Sequence, residues 1–308
     1  MLSRVADNLY WFGRYLQRAE NGARLVTVHA NLLLDLPQKV IFGWGPLIEI
    51  LGADATFREH YPDDTENNAV RFLLTDERNP GSILSSLNAA REILRTTRDF
   101  MTNDAWEKLN DLYYYVHERG GIALSRSKRQ EFTARVIDST LLLHGLLSTT
   151  MAHDVGFEFL RIGTHLEQAD MTTRIIDVRS SSLIRANGEA LAPFQSIQWM
   201  SVLRSLTAYQ MYRRQMRARV TGSQVLRFLL QNREFPRSVL FCLNTIAGSL
   251  PHLPERRAVE RTVDRARALV LDANFERLME TGLHELMDEI QIGLGEVHIA
   301  LHKAYFEG

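Results

Sequence analysis

Two stripes of polar side chains at helical spacing are the residues of this sequence best suited to chemistry. In each stripe an acid precedes an arginine by four positions and follows a Gln or Glu by three. The six members are Gln17, Glu20, Arg24, Glu167, Asp170 and Arg174. A carboxylate and a guanidinium held together can grip and orient a polar ligand through charge-assisted hydrogen bonds. The same spacing also produces ion pairs that only support a helix, so both interpretations stay open.

Other residues with metal-ligand or nucleophile chemistry do not form a pattern that predicts a site. His298 and His302 lie four positions apart and could share a helix face, but no third ligand lies near them in sequence. The Glu-x-x-His motifs of di-iron bundles are absent. We therefore predict no metal site and no cofactor. Cys242 aligns with Ser86 in the repeat described next, which favours a small packed residue over a nucleophile.

An internal repeat places the two stripes in related positions. The frame G-x-x-L-x-x-A-[ED]-x-x-x-R occurs at residues 13–24 and again at residues 163–174. A second pair of similar segments occurs at residues 71–88 and 227–244. The distance in sequence between matched residues grows from 150 to 156 along the chain. Slow growth of this distance is expected of two copies that differ by small loop insertions.

The periodicity of the apolar residues predicts an all-α fold. From Val5 to Leu34 the apolar positions recur at three- and four-residue steps, and no stretch shows the sustained two-residue alternation of a strand. With the repeat, this predicts a tandemly duplicated helical bundle with an approximate internal twofold axis. Residues 1–150 would form the first repeat and residues 151–308 the second, packed as one globular unit.

Local signals predict where individual elements begin and end. Asn79 before Pro80 is typical of an N-cap followed by proline at the first helical position. The segment from Ser180 to Pro193 contains a cluster of serine, asparagine and glycine, which predicts a surface loop.

The helical geometry also predicts which side chains of the first stripe face the core. At about 100° per residue, the stripe residues border the apolar face of their helix, whereas Arg14, Arg18 and Asn21 point to the far side. A charge at the edge of a core must be paired. We therefore expect Glu20, Arg24, Asp170 and Arg174 to be buried and paired, either within each helix or across the two halves.

The composition disfavours several classes of function. The 308 residues carry a formal net charge of −1, which disfavours nucleic acid as a partner, although runs of arginine leave that function open. No apolar run is long enough to cross a bilayer, so no membrane association is predicted. A lone cysteine cannot form an intrachain disulfide, and Asp7 interrupts the apolar start that a signal peptide needs, so we expect a cytoplasmic protein.

The opening of the chain and its repeated helix resemble the bacterial Alpha-E family. The resemblance is carried by residues 1–11 and by the segment 13–21, and it extends over essentially the whole length. It implies an all-α domain, usually present as a tandem duplication, with a Glu-Arg dipeptide in this helix. The sequence departs from that pattern: the dipeptide reads Gln17-Arg18 in the first copy and Glu167-Gln168 in the second. A mechanism that needs an intact Glu-Arg within one copy does not fit this chain.

The resemblance also implies a cellular context. Members of the family are expected in a peptide synthesis or modification system beside circularly permuted ATP-grasp-type ligases, a transglutaminase-like protein and an N-terminal-nucleophile peptidase. On this basis we expect an accessory partner protein rather than a catalyst acting alone. A self-contained enzyme with a charged site at the interface of the two repeats is the alternative, and a helical nucleic-acid-binding module is the third.

Overall fold

The computed structural model describes residues 2–35, 43–185, 195–216, 219–279 and 281–307. Within these ranges the chain is all-α, and no β-strand occurs in them. The helices up to residue 150 are α1 Ser3–Asp35, α2 Gly45–Ile50, α3 Asp54–His60, α4 Glu66–Leu74, α5 Ile83–Thr96, α6 Asn103–Arg119 and α7 Arg126–Thr150. The helices that follow are α8 Val155–Arg185, α9 Gln195–Ser205, α10 Tyr209–Met216, α11 Gly222–Gln231, α12 Val239–Ser249, α13 Arg257–Leu271, α14 Phe275–Leu278 and α15 Leu283–Leu301. No helix in the described ranges is apolar over a stretch long enough to span a bilayer.

The chain divides into two compact units. One comprises Met1–Asn31 with Ile41–Thr164, and the other comprises Leu32–Val40 with His165–Gly308. In the first unit α5 packs on α6 and α6 on α7, and in the second α12 packs on α13 and α13 on α15. The units divide inside α8, so they follow packing rather than the repeat. The division into repeats after residue 150 stays a prediction.

Helix α1 owes its length to a continuous apolar stripe. Leu9, Phe12, Leu16 and Ala19 are fully buried, as their three- and four-residue spacing predicts. Burying a leucine or phenylalanine side chain contributes about 1.5–3 kcal/mol. The stripe therefore fixes α1 in the core and, with it, the orientation of the polar residues on the neighbouring face.

Serine residues cap the N-termini of α5 and α12, at positions that match in the second pair of similar segments. The Ser82 Oγ accepts a hydrogen bond from the Ser85 backbone N–H at 3.1 Å, and the Ser238 Oγ accepts one from the Phe241 N–H at 3.1 Å. The expectation that Asn79 caps this helix is wrong. The Asn79 amide is used in the preceding turn, where it donates to the Phe72 carbonyl and accepts from the Gly81 N–H.

The predicted surface loop from Ser180 to Pro193 is wrong over its first part. Helix α8 continues through this stretch to Arg185, because serines within an otherwise helical pattern do not end a helix. The remainder of the predicted loop, residues 186–194, lies outside the described residues.

Asp76, in the turn after α4, provides a pH-dependent contribution to stability. Its carboxylate accepts hydrogen bonds from the Arg78 guanidinium at 2.6 Å and from the Tyr61 hydroxyl at 2.6 Å. The Arg78 hydrogen bonds lower the pKa of Asp76 to about 2, against the opposing effect of its burial. A lowered carboxyl pKa stabilises the fold at pH values above the unfolded pKa, and this contribution is lost as the pH falls towards 2.

We therefore expect Asp76→Asn to cost about 2 kcal/mol of unfolding free energy near pH 7 and progressively less between pH 4 and pH 2. Urea unfolding at several pH values measures the difference from wild type. Asp99→Asn, at an exposed position in the same unit, is the control. A deficit for Asp76→Asn that stays constant down to pH 2 would contradict the assignment.

Candidate functional site

The first polar stripe forms a compact buried network on α1. Glu20 is 1% exposed, and its Oε1 accepts a hydrogen bond from the Arg24 Nε at 2.7 Å. Its Oε2 accepts one from the Gln17 Nε2 at 3.3 Å. Arg24 is itself only 15% exposed. The expectation of a buried, paired stripe is confirmed for this copy.

Asn21 belongs to this network, contrary to the expectation that it points to the far side of the helix. Its side chain is buried, and its Oδ1 accepts a hydrogen bond from the Gln17 Nε2 at 2.9 Å. Asn21 lies four positions after Gln17, which is one helical turn along nearly the same face of α1. The prediction placed the edge of the polar face one residue too early.

Arg14 stays outside the network, as predicted. It is half-buried, and its guanidinium lies 4.9 Å from the centre of the Trp11 ring and donates to the Tyr10 hydroxyl at 3.2 Å. These contacts of Arg14 are therefore with aromatic side chains, one of which, Tyr10, is fully buried.

His144 of α7 approaches the network from another element. Its Nε2 lies 4.0 Å from the Glu20 Oε2. Sequence reasoning missed His144 because more than a hundred residues separate it from Glu20, and no motif spacing links them. A protonated His144 would add a second positive charge beside the Glu20 carboxylate.

The second stripe, on α8, is paired in the same way but is less buried. The Asp170 Oδ2 accepts a hydrogen bond from the Arg174 Nε at 2.8 Å, and the two side chains are 19% and 34% exposed. Glu167 is 2% exposed. The expected pairing is confirmed here within one helix, whereas the expected burial of Asp170 and Arg174 holds only in part.

Two glycines allow α1 and the first turns of α8 to cross closely within the first unit. A Cβ on Gly13 would lie 2.4 Å from the Leu160 carbonyl oxygen, and a Cβ on Gly163 would lie 2.0 Å from the Tyr10 carbonyl oxygen. The contacts are reciprocal, because Gly13 and Gly163, and likewise Tyr10 and Leu160, are each 150 positions apart. Reciprocal contacts are typical of twofold-related segments. They support the duplication, which stays a proposal.

The cysteine and the two histidines for which the sequence predicted no catalytic or metal-binding role have surroundings that agree with a structural role. Cys242 is fully buried, and burial raises the pKa of its thiol to about 12, so it is a packed residue. The rings of His298 and His302 are 6.4 Å apart. In the described part of the chain, neither histidine belongs to a cluster of three possible metal ligands.

The arginine run of α13, which left nucleic acid open, is largely paired with acids. Hydrogen-bonded ion pairs join Arg256 to Glu260, Arg265 to Glu296 and Arg267 to Asp264, at 2.8, 3.0 and 3.0 Å. A face that alternates both charges is a solvated surface rather than a phosphate-binding one.

The second unit contains a concave surface that no sequence motif indicated. We call it the α13–α15 groove; its volume is about 1170 Å³, and it lies between α13, α14 and α15. Its apolar lining comes from Leu269, Leu278, Leu286 and Ile292. Ile292 is exposed. The groove is assembled from three elements separated by turns, so periodicity within any one helix does not reveal it.

The lining of the α13–α15 groove carries more acidic than basic side chains. Four carboxylates line it, those of Asp272, Glu285, Glu289 and Glu296, against the two guanidinium groups of Arg265 and Arg277. Because Arg265 is paired with Glu296, three carboxylates remain against one guanidinium group. A partner in the groove would therefore meet a net negative charge.

Comparison with known proteins gives a family and a set of relatives. Three mycobacterial proteins described as uncharacterized, one from Mycobacterium bovis and two from strains of Mycobacterium tuberculosis, are each 26% identical to this chain over 97% of its length. The chain spans 35% of the length of these relatives. No solved structure shows a significant match. The match to the Alpha-E family, described as a predicted alpha-helical domain with a conserved ER motif, covers residues 1–306. Since that match covers nearly the whole sequence, the chain belongs to the Alpha-E family.

Proposed function

We propose that this protein is a helical partner of an ATP-grasp-type ligase in a peptide synthesis or modification system that also includes a transglutaminase-like protein. In this proposal the ligase binds in the α13–α15 groove. The observation that carries it is the combination of apolar and acidic side chains that line that groove.

The size and shape of the groove favour a helical segment as its occupant. Its lining on α15 runs from Gly282 to Glu296, which is about 20 Å of helix. Amphipathic helices bind in such grooves through apolar side chains spaced by three or four positions. The carboxylates that line the groove favour a segment with Lys or Arg beside those apolar anchors, because complementary charge fixes orientation and speeds association.

The hydrogen bonding of the polar stripes supports a structural role for them. The Glu20 carboxylate accepts from Gln17 and Arg24 on its own helix, and Asp170 accepts from Arg174. None of these three hydrogen bonds joins a nucleophile to a base, the arrangement from which covalent catalysis is recognised. The stripes thus stabilise the two helices on which they lie, α1 and α8.

An assay of ATP-dependent amide formation separates a partner from a self-contained enzyme. The purified protein alone should give no turnover, and adding it to the ATP-grasp-type ligase from the same organism should raise the ligase rate until the two are equimolar. Turnover by this chain alone, abolished by Glu20→Gln in a variant that still folds, would establish the enzyme instead. No effect on a ligase that is itself active would refute the partnership.

A further inference from the structure

The start of α15 brings three possible metal ligands together, and this cluster is separate from the α13–α15 groove. It consists of Asp177 of α8 with His284 and Asp288 of α15, and one ligand atom from each lies within 4.8 Å of the others. His284 and Asp288 are one helical turn apart and face outward. Leu283, Met287 and Ile290 form the buried face of the same helix.

The two nitrogens of the His284 ring face different carboxylates. Its Nδ1 lies 2.7 Å from the Asp177 Oδ1, and its Nε2 lies 3.6 Å from the Asp288 Oδ2. Two ligands of a tetrahedral metal, each about 2.0–2.1 Å from the ion, lie about 3.3–3.4 Å apart. The gap between Nε2 and Asp288 is therefore close to the size that an ion requires.

Asp177 has the position of an outer carboxylate that orients a metal-binding histidine. Such a carboxylate accepts the proton of the ring nitrogen that does not bind the metal, which fixes the tautomer and makes the other nitrogen a better ligand. Asp177 is 14% exposed, so its negative charge is partly removed from water, whereas His284 is 61% exposed and leaves room for further ligands.

We propose that Asp177, His284 and Asp288 form a site for a divalent transition-metal ion of the Zn²⁺ type, bound by the His284 Nε2 and an Asp288 oxygen and oriented by Asp177. One imidazole with carboxylates suits Zn²⁺ and its neighbours better than Mg²⁺ or Ca²⁺, which prefer oxygen ligands throughout. Water or a ligand carboxylate would fill the remaining positions. The inference does not depend on the proposed function.

The electrostatic surroundings favour a cation at this position. His284 lies in the first turn of α15, where the helix dipole disfavours positive charge. The carboxylates of Asp177, Asp288 and Glu285 act in the opposite direction, and the hydrogen bond to Asp177 is the largest cause of the raised pKa of His284. A proton and a metal ion therefore compete for the same nitrogen, so binding is best measured above neutral pH.

Titration of the full chain with Zn²⁺ at pH 8, followed by calorimetry, tests the site. We expect one strong site per chain, lost in His284→Ala and weakened about 10- to 100-fold in Asp177→Asn, as for other carboxylates that orient a ligand. Asp288→Asn should weaken binding at least as much. His302→Ala is the matched control, because His302, directly after α15, is also an exposed histidine paired with an acid, Glu307.

The outcomes decide between a metal site and a simple ion pair. Absence of strong Zn²⁺ binding, or equal loss of binding in His284→Ala and His302→Ala, would overturn the proposal and leave His284 as a surface partner of Asp177. Circular dichroism establishes that each variant is folded. If His284→Ala does not fold, Asp288→Asn and His284→Gln carry the test.

Discussion

Replacing Gly163 by alanine should destabilise the protein by about 3 kcal/mol or more, at the upper end of the cost of overpacking a core. The new Cβ would lie 2.0 Å from the Tyr10 carbonyl oxygen, which is a backbone atom and cannot rotate away. The segments of α1 and α8 that cross at this point would have to separate, and their packing within the first unit would loosen. Urea or thermal unfolding of the purified variant measures the loss.

Gly145→Ala is the matched control for this substitution. Gly145 also lies within a long helix, α7, but no atom lies within 4 Å of the position its Cβ would take. Alanine in a helix interior is favoured over glycine by about 0.5–1 kcal/mol, so this variant should be slightly more stable than wild type. Similar stabilities for Gly163→Ala and Gly145→Ala would contradict the close crossing of α1 and α8.

Removing Arg24 should have the second large effect. Arg24→Ala leaves the Glu20 carboxylate, which is 1% exposed, without its 2.7 Å ion pair. Breaking a buried pair typically costs about 3–5 kcal/mol. Arg14→Ala removes a half-buried guanidinium whose contact with the Trp11 ring and hydrogen bond to the Tyr10 hydroxyl should together be worth about 1–2 kcal/mol. The difference between the two unfolding free energies is the quantity to measure.

Two further variants test the origin of that loss. Arg174→Ala breaks the equivalent pair on α8, where both partners are more exposed, and should cost about 1 kcal/mol, in the range of solvated ion pairs. In the double variant Glu20→Gln/Arg24→Ala the buried charge is gone, so it should be more stable than Arg24→Ala alone. Equal losses for Arg24→Ala, Arg14→Ala and Arg174→Ala would show that burial of Glu20 contributes nothing.

The all-α fold could be predicted from the sequence because it depends on local periodicity. The stripe of Leu9, Phe12 and Leu16 determines both the helix and its buried face. Helix starts were harder to place. Asn79 and Ser82 are both good N-caps by type, and the choice depends on Asn79 reaching the Phe72 carbonyl, which is a contact of the folded turn.

The candidate sites were predictable only where their members lie on one helix. The pairing of Glu20 with Arg24 and of Asp170 with Arg174 follows from their spacing. Asn21 was misplaced although its i,i+4 spacing from Gln17 places the two side chains close together on α1. The expectation of no metal site rested on spacing as well, and spacing cannot show that Asp177 meets His284 across 107 residues.

Binding of the ATP-grasp-type ligase to three forms of this protein tests the central proposal most directly. Isothermal titration calorimetry would compare wild type with Asp272→Lys/Glu289→Lys. This double substitution reverses the charge of two acidic residues that line the α13–α15 groove. Glu107→Lys/Glu118→Lys makes the same charge change at exposed positions on α6. We predict that the groove variant binds at least about tenfold more weakly, a loss of about 1.4 kcal/mol, while the α6 variant binds like wild type. The same dissociation constant for all three forms, or no binding of the wild type, would contradict the account.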